Sequence, residues 1–316
     1  MSNFKFNREQ SQSKNPAISV ICINKNGEKY IEDAILSVLG QDFDDFEFII
    51  ADGGSTDRSL EIIGKYKFIT LLPGKDSSRS EGLNRAVAAA RGRYIMVTTS
   101  TDGYLSRDWF KSVSFVLDND PQVSLVFGAS AFMSSDGALG SIAYPSLFLF
   151  NNVPPKEKWS AMWLRYGITV AYFPEVNYCV RTDIYRNLTG PSTQFSELNG
   201  IDPILRFHFE FNRLGYLPTY LPTLANFGRL HDNQFQLSEK HQTFVSIYYE
   251  AWKKYREGVI SGKYDHFLRD GQGRKIYNSQ YSLFNRLELV LPRILPILLR
   301  LIRGLNKMTH KYLRVV

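Results

Sequence analysis

Short apolar runs alternate with amphipathic segments over the first hundred residues. The run AISVICI at Ala17–Ile23 is continuous and rich in β-branched residues, which is typical of a buried parallel strand. Apolar residues at helical spacing then predict a helix over Glu28–Leu39. The same pattern predicts strands at Phe46–Ala51, Phe68–Leu72 and Tyr94–Thr98, and helices at Asp57–Tyr66 and Ser80–Arg91. This alternation predicts an α/β fold with a mostly parallel sheet flanked by helices.

Beyond residue 105 the alternation is less regular. The pattern predicts helices at Trp109–Leu117, Ile201–Leu214 and Gln242–Arg256, strands at 123–127 and 216–226, a hairpin turn at 134–137, and a loop plus helix at 151–172. Two capping residues are also predicted: Ser55 or Thr56 at the start of the second helix, and Gly215 after the helix that ends at Leu214. We therefore expect a disordered lead-in at 1–16, one α/β domain at 17–240 and a helical C-terminal extension at 241–316.

The C-terminal tail, from about residue 282, differs in composition from the rest. Leucine and isoleucine crowd residues 287–305, and two prolines interrupt them. The tail has seven basic residues and one acidic residue, Glu288, so its net charge is +6 of the chain's +7. This composition indicates an amphipathic helix lying on an anionic membrane surface, and the alternative is a pair of helices packed on the domain.

Composition narrows the class of protein. Hydrophobic residues make up 44% of the 316 residues, which excludes wholesale disorder. Cys22 and Cys179 lie far apart, which favours a reducing compartment, and no apolar stretch predicts a signal peptide or a membrane-spanning helix. The pI of about 9.2 favours a polyanionic neighbour. We expect no nucleic-acid binding, because the charge lies in a leucine-rich tail without interleaved aromatic residues.

Polar residues stand where the predicted strands end. Ligands of such sheets bind outside the carboxyl ends of the strands, where Asn24, Asp52 and Asp102 fall. Asp52 suits a hydrogen bond from a base or ribose, or it caps the following turn. Asp102, in TTSTDGYL, is placed to hold a hard divalent cation through oxygen. The segment KDSSRSEGLNR at 75–85 is either a polar ligand rim or a solvated turn.

Taken in order, four segments resemble the GT-A glycosyltransferases of family 2. They are SVICINKN, IEDAILSVLGQ, FEFIIADGGSTDRS and KDSSRSEGLNRAVAAARGRYIMVTTSTDGYL, and the resemblance is strong over residues 17–110 and weak over 175–235. It implies a Rossmann-like GT-A fold and inverting transfer from a nucleotide-sugar with Mg²⁺ or Mn²⁺. Thr101 departs from the family pattern because it replaces the first of two acids, and Ile23 and Lys25 replace the usual proline and tyrosine.

The resemblance also implies roles for individual residues. Asp52 is similar to the acid that reads the base, and Asp102 to the metal-binding acid. The residues implied to contact the nucleotide-sugar are Asn24, Asp52, Asp76, Arg79, Glu81, Asn84 and Thr101.

Two further residues come from the second half of the chain. Asp202, in GIDPILRF, resembles the catalytic base and equally suits a helix N-cap before Pro203. Glu197 is a second candidate base. His231, in the segment FGRLHDN, resembles a metal ligand or a diphosphate contact, and the alternative is a structural histidine; Arg229 beside it is a candidate for balancing phosphate charge.

The sequence therefore predicts an inverting, metal-dependent glycosyltransferase. Its partners would be a nucleotide-sugar donor and a glycan or lipid-linked acceptor, and the tail would hold it at the cytoplasmic face of the plasma membrane. One alternative is another nucleotide-binding α/β enzyme, for which ISVICINKNGEKY is a poor phosphate loop. A second alternative is a non-catalytic relative that kept the fold and binds a glycan or nucleotide.

Overall fold

The computed structural model describes residues 14–143, 159–160, 162–164, 167–169, 173, 175–231 and 238–276. Most of the lead-in predicted at 1–16, most of the segment at 151–172 and the whole basic tail from residue 282 lie outside these residues. Those three predictions stay predictions.

One mixed sheet organises the described part of the chain. Its strands are β1 Ile18–Asn24, β2 Phe46–Asp52, β3 Ile69–Pro73, β4 Tyr94–Thr99, β5 Gly103–Tyr104, β6 Leu125–Met133, β7 Leu139–Ala143, β8 Tyr178–Arg181 and β9 Pro218–Arg229. Across the sheet the order is β3-β2-β1-β4-β8-β6-β9-β5, with β7 paired to β6. Pairing makes β1 to β4, β6 and β9 point one way and β5, β7 and β8 the other, so the expected mostly parallel sheet is confirmed. The short strands β10 Leu268–Arg269 and β11 Lys275–Ile276 pair separately.

The described helices are α1 Ile31–Leu39, α2 Ser59–Gly64, α3 Arg79–Ala89, α4 Trp109–Asn119, α5 Thr182–Thr189, α6 Pro203–Arg213 and α7 Glu239–Ile260. All of these except α5 lie close to predicted positions, and the sequence pattern did not predict α5. The predicted N-cap of α2 is wrong: Arg58 occupies that position, and Ser55 turns its hydroxyl to Asp52 instead.

Two apolar layers cover the two faces of the sheet. Alternation along β1 sends Ile21 into the layer that contains α3, α5, α6 and α7, and sends Val20 and Cys22 into the layer of α1, α2 and α4. Helix α7 buries Tyr248 and Tyr255 in the first layer, and it begins two residues before the boundary predicted at 241. No helix within the described ranges has the length and apolarity needed to cross a bilayer.

The turn after α6 returns the chain to the sheet. Gly215 adopts a φ of +74°, and its N–H donates to the carbonyl of Asn212 at 3.1 Å. The N–H of Tyr216 donates to the carbonyl of Phe211 at 3.0 Å. This is a Schellman motif, so the predicted glycine cap is confirmed. The hairpin predicted at 134–137 is likewise observed, between β6 and β7.

Candidate active site

The ends of β1, β2 and β4 bring the predicted polar residues to one edge of the sheet. Register pairs Asn24 with Asp52, and Ile23 with Thr99, three residues before Asp102. The Nδ2 of Asn24 donates to Oδ1 of Asp52 at 2.7 Å. Both side chains are buried. The edge predicted from the sequence therefore exists, and Asn24 and Asp52 form one hydrogen-bonded unit within it.

Asp52 organises the turn between β2 and α2. Its Oδ1 also accepts from the hydroxyl of Ser55 at 2.5 Å. Its Oδ2 accepts from the N–H groups of Gly54 and Ser55 at 3.1 and 2.9 Å. The carboxylate thus holds the glycine turn in place, as the capping interpretation expected. A contact between Asp52 and a nucleotide base stays a prediction.

The segment at 75–85 contributes a buried carboxylate and a bridging arginine. Asp76 Oδ2 accepts from Nη2 of Arg85 at 2.8 Å. The same guanidinium donates to the main-chain carbonyls of Asp52, Leu72 and Pro73 at 3.0–3.2 Å. Arg85 therefore ties the tips of β2 and β3 to Asp76. The sequence pattern predicts no role for Arg85, because a position in a polar segment does not indicate which distant groups the side chain contacts.

Two other residues of that segment lie on the exposed side of α3. Glu81 accepts from the N–H and hydroxyl of Ser77 at 2.7 and 3.0 Å, and these bonds lower the pKa of its carboxyl. Asn84 is exposed. Both nucleotide contacts stay predictions.

Asp102 lies in the loop between β4 and β5. Its Oδ2 accepts from the hydroxyl of Thr99 at 2.6 Å, and its Oδ1 from the N–H of Arg229 at 2.9 Å. Thr101 lies beside them, with its hydroxyl 2.9 Å from that of Thr99. The pairing of β5 with β9 brings Arg229 to this loop from 127 residues away. Burial raises the pKa of the Asp102 carboxyl, and these two hydrogen bonds together with the charges of Arg79 and His231 oppose the rise.

A divalent cation is chemically compatible with this loop. Asp102 is a carboxylate whose two hydrogen-bond donors are uncharged groups, and His231 is close enough for its charge to act on it. In the described ranges no three or more His, Cys, Asp or Glu side chains form a group that could hold a metal ion. Mg²⁺ is usually held by one or two carboxylates together with substrate phosphates. The residues present therefore fit an ion that binds together with a phosphorylated donor.

Asp202 is the N-cap of α6. Its Oδ1 accepts from the N–H of Ile204 at 2.9 Å, and Pro203 occupies the first helical turn, which confirms the capping interpretation. Its Oδ2 faces Nη1 of Arg79 at 3.7 Å. The charge of Arg79 also acts on Asp102, so this arginine lies near both carboxylates. Tertiary structure thus brings together three predicted site residues from three separate segments.

The remaining candidates face other partners. Glu197 is bound by Lys254 of α7 at 3.2 Å. The guanidinium of Arg229 is buried, lies 2.7 Å from Asp33 of α1 and stacks on the ring of Tyr30. These contacts hold the Arg229 guanidinium against α1. A contact between Arg229 and a phosphate stays a prediction.

His241, near the start of α7, was not anticipated. The charges of Asp202 and Arg79 both act on it, and burial lowers the pKa of its imidazole. A single histidine next to the start of a predicted helix does not indicate a functional role, so the sequence did not single it out.

Comparisons with known proteins bear on the family and the fold. The sequence model described as Glycosyl transferase family 2 matches residues 19–176, half of the chain. An uncharacterized glycosyltransferase of Haemophilus influenzae is 33% identical over 131 residues, which is 39% of this chain and 50% of the relative. The poly(ribitol-phosphate) beta-N-acetylglucosaminyltransferase TarS of Staphylococcus aureus is 30% identical over 107 residues, covering 32% and 18% of the two chains. The chain spans about half the length of several curated relatives that it matches.

Solved structures support the fold. The crystal structure of S. aureus TarS residues 1–349 in complex with UDP superposes with a TM-score of 0.51 at 18% identity, covering 73% of this chain and 64% of that one. At this identity the likeness bears on the fold alone. Because the family model matches half of the chain, the chain belongs to glycosyl transferase family 2, and it has a GT-A-like α/β fold.

Proposed function

We propose that this chain is an inverting, metal-dependent glycosyltransferase. It would move a sugar from a nucleoside diphosphate donor to a hydroxyl of a glycan or lipid-linked acceptor, in the synthesis of a cell-surface polysaccharide or glycolipid. The observation that carries the proposal is the position of Arg79. Its charge acts on Asp102, and its guanidinium lies 3.7 Å from Asp202, so the candidate metal acid and the candidate base both lie near this arginine.

The nucleotide would lie over the ends of β1 and β2. Asn24 and Asp52 form the floor of that edge, and Asp76 borders it because its carboxylate packs against Gly53 and Gly82. A Cβ at Gly82 would come within 2.8 Å of that carboxylate, so the close approach needs a glycine. Thr101, Glu81 and Asn84 are proposed as further contacts to the donor. UDP is the first nucleotide to test, because the TarS structure holds it.

Asp202 would act as the base through Oδ2. Its Oδ1 accepts from the N–H of Ile204, whereas Oδ2 faces the guanidinium of Arg79. Oδ2 would take the proton of the acceptor hydroxyl as that oxygen attacks the anomeric carbon and the bond to the diphosphate breaks. Attack opposite the leaving group inverts the anomeric centre. A Mg²⁺ or Mn²⁺ ion held by Asp102 and His231 would supply positive charge to the departing diphosphate.

The basic tail would place the enzyme at the inner face of the plasma membrane. Six of the seven net positive charges of the chain lie after residue 282, among leucines and isoleucines. Such a segment binds anionic lipid through both apolar burial and charge. A lipid-linked acceptor would be presented at that surface.

Calorimetric titration of nucleotides tests the proposal. UDP and then GDP are titrated into the wild-type chain with and without Mn²⁺, and into Asp102→Asn. Asp42→Asn is the matched control, because Asp42 is an exposed carboxylate paired with Arg107. We expect one nucleotide to bind only with the metal, to lose that binding in Asp102→Asn and to keep it in Asp42→Asn. The absence of binding by either nucleotide to the folded protein would contradict the proposal and favour a non-catalytic relative in which Thr101 marks a lost metal site.

A further inference from the structure

Two exposed apolar side chains flank a glycine where β6 and β9 end. Register pairs Phe132 of β6 with Gly228 of β9. The ladder continues past the end of β9, because the N–H of Leu230 donates to the carbonyl of Met133 at 2.7 Å. Phe132 is 39% exposed and Leu230 is 48% exposed, and neither belongs to the two apolar layers of the described chain. We call Phe132, Gly228 and Leu230 the Phe132 surface.

Alternation along β9 shows which face of the sheet this surface occupies. The guanidinium of Arg229 lies on the ring of Tyr30, which precedes α1, and the ring of His231 lies 6.2 Å from the same ring. Both residues therefore face α1. Successive side chains of a strand point to opposite faces, so Gly228 and Leu230 face the other side of the sheet, where α3 and α6 pack. Phe132, as the partner of Gly228, faces that side too.

The Phe132 surface adjoins the candidate metal acid. The strand order is β6-β9-β5, and Asp102 directly precedes β5. Apart from its chain neighbours, a Cβ built at Gly228 would have one neighbour within 4 Å among the described residues, Oδ1 of Asp102 at 3.9 Å. Glycine therefore leaves space beside the carboxylate. Neighbouring strands lie about 4.8 Å apart, so Phe132 stands one strand further from Asp102 than Gly228 does.

An exposed aromatic ring next to this space suits a sugar. One face of a pyranose ring presents mainly C–H groups, which carry partial positive charge and contact the negative face of an aromatic ring. The sugar hydroxyls need polar partners, and an ionised carboxylate such as Asp102 can accept about four hydrogen bonds, of which two are made here. A lipid chain would need a larger apolar area than two side chains offer.

We infer that the Phe132 surface binds a sugar ring of the acceptor, so that the acceptor is recognised as a glycan. The inference rests on the proposed function, since it takes Asp102 as the residue that holds the donor diphosphate. A donor sugar joined to that diphosphate would fill the space over Gly228. The position over Phe132, one strand further on, is then left to the sugar that accepts. Helix α6, which the candidate base Asp202 caps, packs on the same face of the sheet.

The test measures saturation transfer from the full chain to small ligands by ¹H NMR, with UDP and Mg²⁺ at saturating concentrations. The sugar probes are methyl β-D-glucopyranoside, methyl β-D-galactopyranoside and methyl N-acetyl-β-D-glucosaminide, and hexanol represents an apolar chain. Phe132→Ala removes the ring and Phe132→Tyr keeps it. Phe115→Ala is the matched control, because Phe115 is 67% exposed and belongs to α4, which packs on the opposite face of the sheet.

We expect at least one glycoside to give a saturable signal. Phe132→Ala should weaken its binding roughly fivefold, Phe132→Tyr should retain most of it, and Phe115→Ala should leave it unchanged. Gly228→Val should weaken it at least as much as Phe132→Ala, because the new side chain would fill the space beside Asp102. Its Cβ would make only an ordinary contact at 3.9 Å, and valine suits a strand, so this variant should fold. Thermal unfolding of each variant checks the fold.

Four results would overturn the inference: no saturable signal from any glycoside, binding of hexanol alone, equal weakening in Phe132→Ala and Phe115→Ala, or displacement of the glycoside when UDP-glucose or UDP-N-acetylglucosamine replaces UDP. The last result would assign the surface to the donor sugar, and this competition uses the wild type, so it requires no variant to fold.

Failure of the proposed function is distinguishable, because it appears as a folded chain that binds no nucleotide in the calorimetric titration. In that case the glycosides are added to the nucleotide-free chain. The comparison of Phe132→Ala with Phe115→Ala then decides whether the Phe132 surface binds a sugar without transferring one.

Discussion

The two roles of Asp202 can be separated by substitution. Asparagine caps helices about as well as aspartate, whereas alanine does not cap. Asp202→Asn therefore keeps an acceptor for the N–H of Ile204, now at 2.9 Å from Oδ1, and removes the carboxylate that would accept a proton. Asp202→Ala removes both. The pair of variants distinguishes a base from a cap.

The expected magnitudes follow from the contacts. Loss of an N-cap costs about 1 kcal/mol, which for a domain of this size lowers Tm by about 2–4 °C. We expect this decrease in Asp202→Ala beyond whatever Asp202→Asn shows, because both variants equally lose the ion pair with Arg79 at 3.7 Å. Transfer activity should fall by about 10²–10⁴-fold in both variants, the usual contribution of a general base.

Two measurements check this prediction. Thermal unfolding followed by circular dichroism gives the difference in Tm, and nucleotide release from a UDP-sugar in the presence of acceptor gives kcat. Nucleotide affinity should be unchanged in Asp202→Asn if Asp202 contacts the acceptor, as proposed. If Asp202→Asn transferred sugar at close to the wild-type rate, Asp202 would be a helix cap alone and the assignment of the base would be refuted.

Three further predictions concern other parts of the fold. Gly27→Ala should destabilise the protein by roughly 1–3 kcal/mol and weaken nucleotide binding, because the new Cβ would lie 2.3 Å from Oδ1 of Asn24; chemical denaturation and calorimetry measure both. Thr101→Asp should lower the Mn²⁺ concentration needed for nucleotide binding about tenfold, since it adds a carboxylate beside the metal acid, as a Mn²⁺ titration at fixed UDP would show. Burial lowers the pKa of His208 to about 3, below its value of about 6.5 in an unfolded chain. The unfolded state therefore binds more protons between these values, and His208 should lower the free energy of unfolding by roughly 1.4 kcal/mol per pH unit as pH drops below 6.5, measured by urea unfolding. Burial lowers the pKa of His266 to about 3 as well, so His266 should add a similar slope.

Each of these has a control within the chain. Gly64→Ala should not destabilise the protein, because outside its chain neighbours and its own helix no atom lies within 4 Å of the added Cβ and alanine favours the helix, and an equal loss there would refute the steric argument. An unchanged Mn²⁺ requirement in Thr101→Asp would show that Asp102 alone sets the affinity for the ion. His208→Phe should reduce the slope by roughly 1.4 kcal/mol per pH unit and leave the part that His266 contributes, and an unaltered slope would trace it to other groups.

The sequence by itself determined the elements and the positions of residues at their ends. Side chains repeat every two residues along a strand and every 3.6 along a helix, and the apolar positions show which face is buried. The bounds of β1, α1 and β2 could therefore be predicted within a few residues. Local sequence likewise predicted Gly215 as a helix stop and offered the N-cap as one of two roles for Asp202 before Pro203. Since parallel strands end at the same edge of a sheet, Asn24 and Asp52 could be placed together.

Tertiary structure alone decided which distant segments meet. The N–H of Arg229 reaches Asp102 because β5 pairs with β9, and Arg79 faces Asp202 because α3 and α6 pack on the same face of the sheet. The hydrophobic pattern within a segment does not predict such pairings, since they depend on how whole elements pack together. The hydroxyl of Ser55 shows the same limit. Local sequence favoured Ser55 as an N-cap, but its hydroxyl donates instead to the buried carboxylate of Asp52, which needs hydrogen-bond donors.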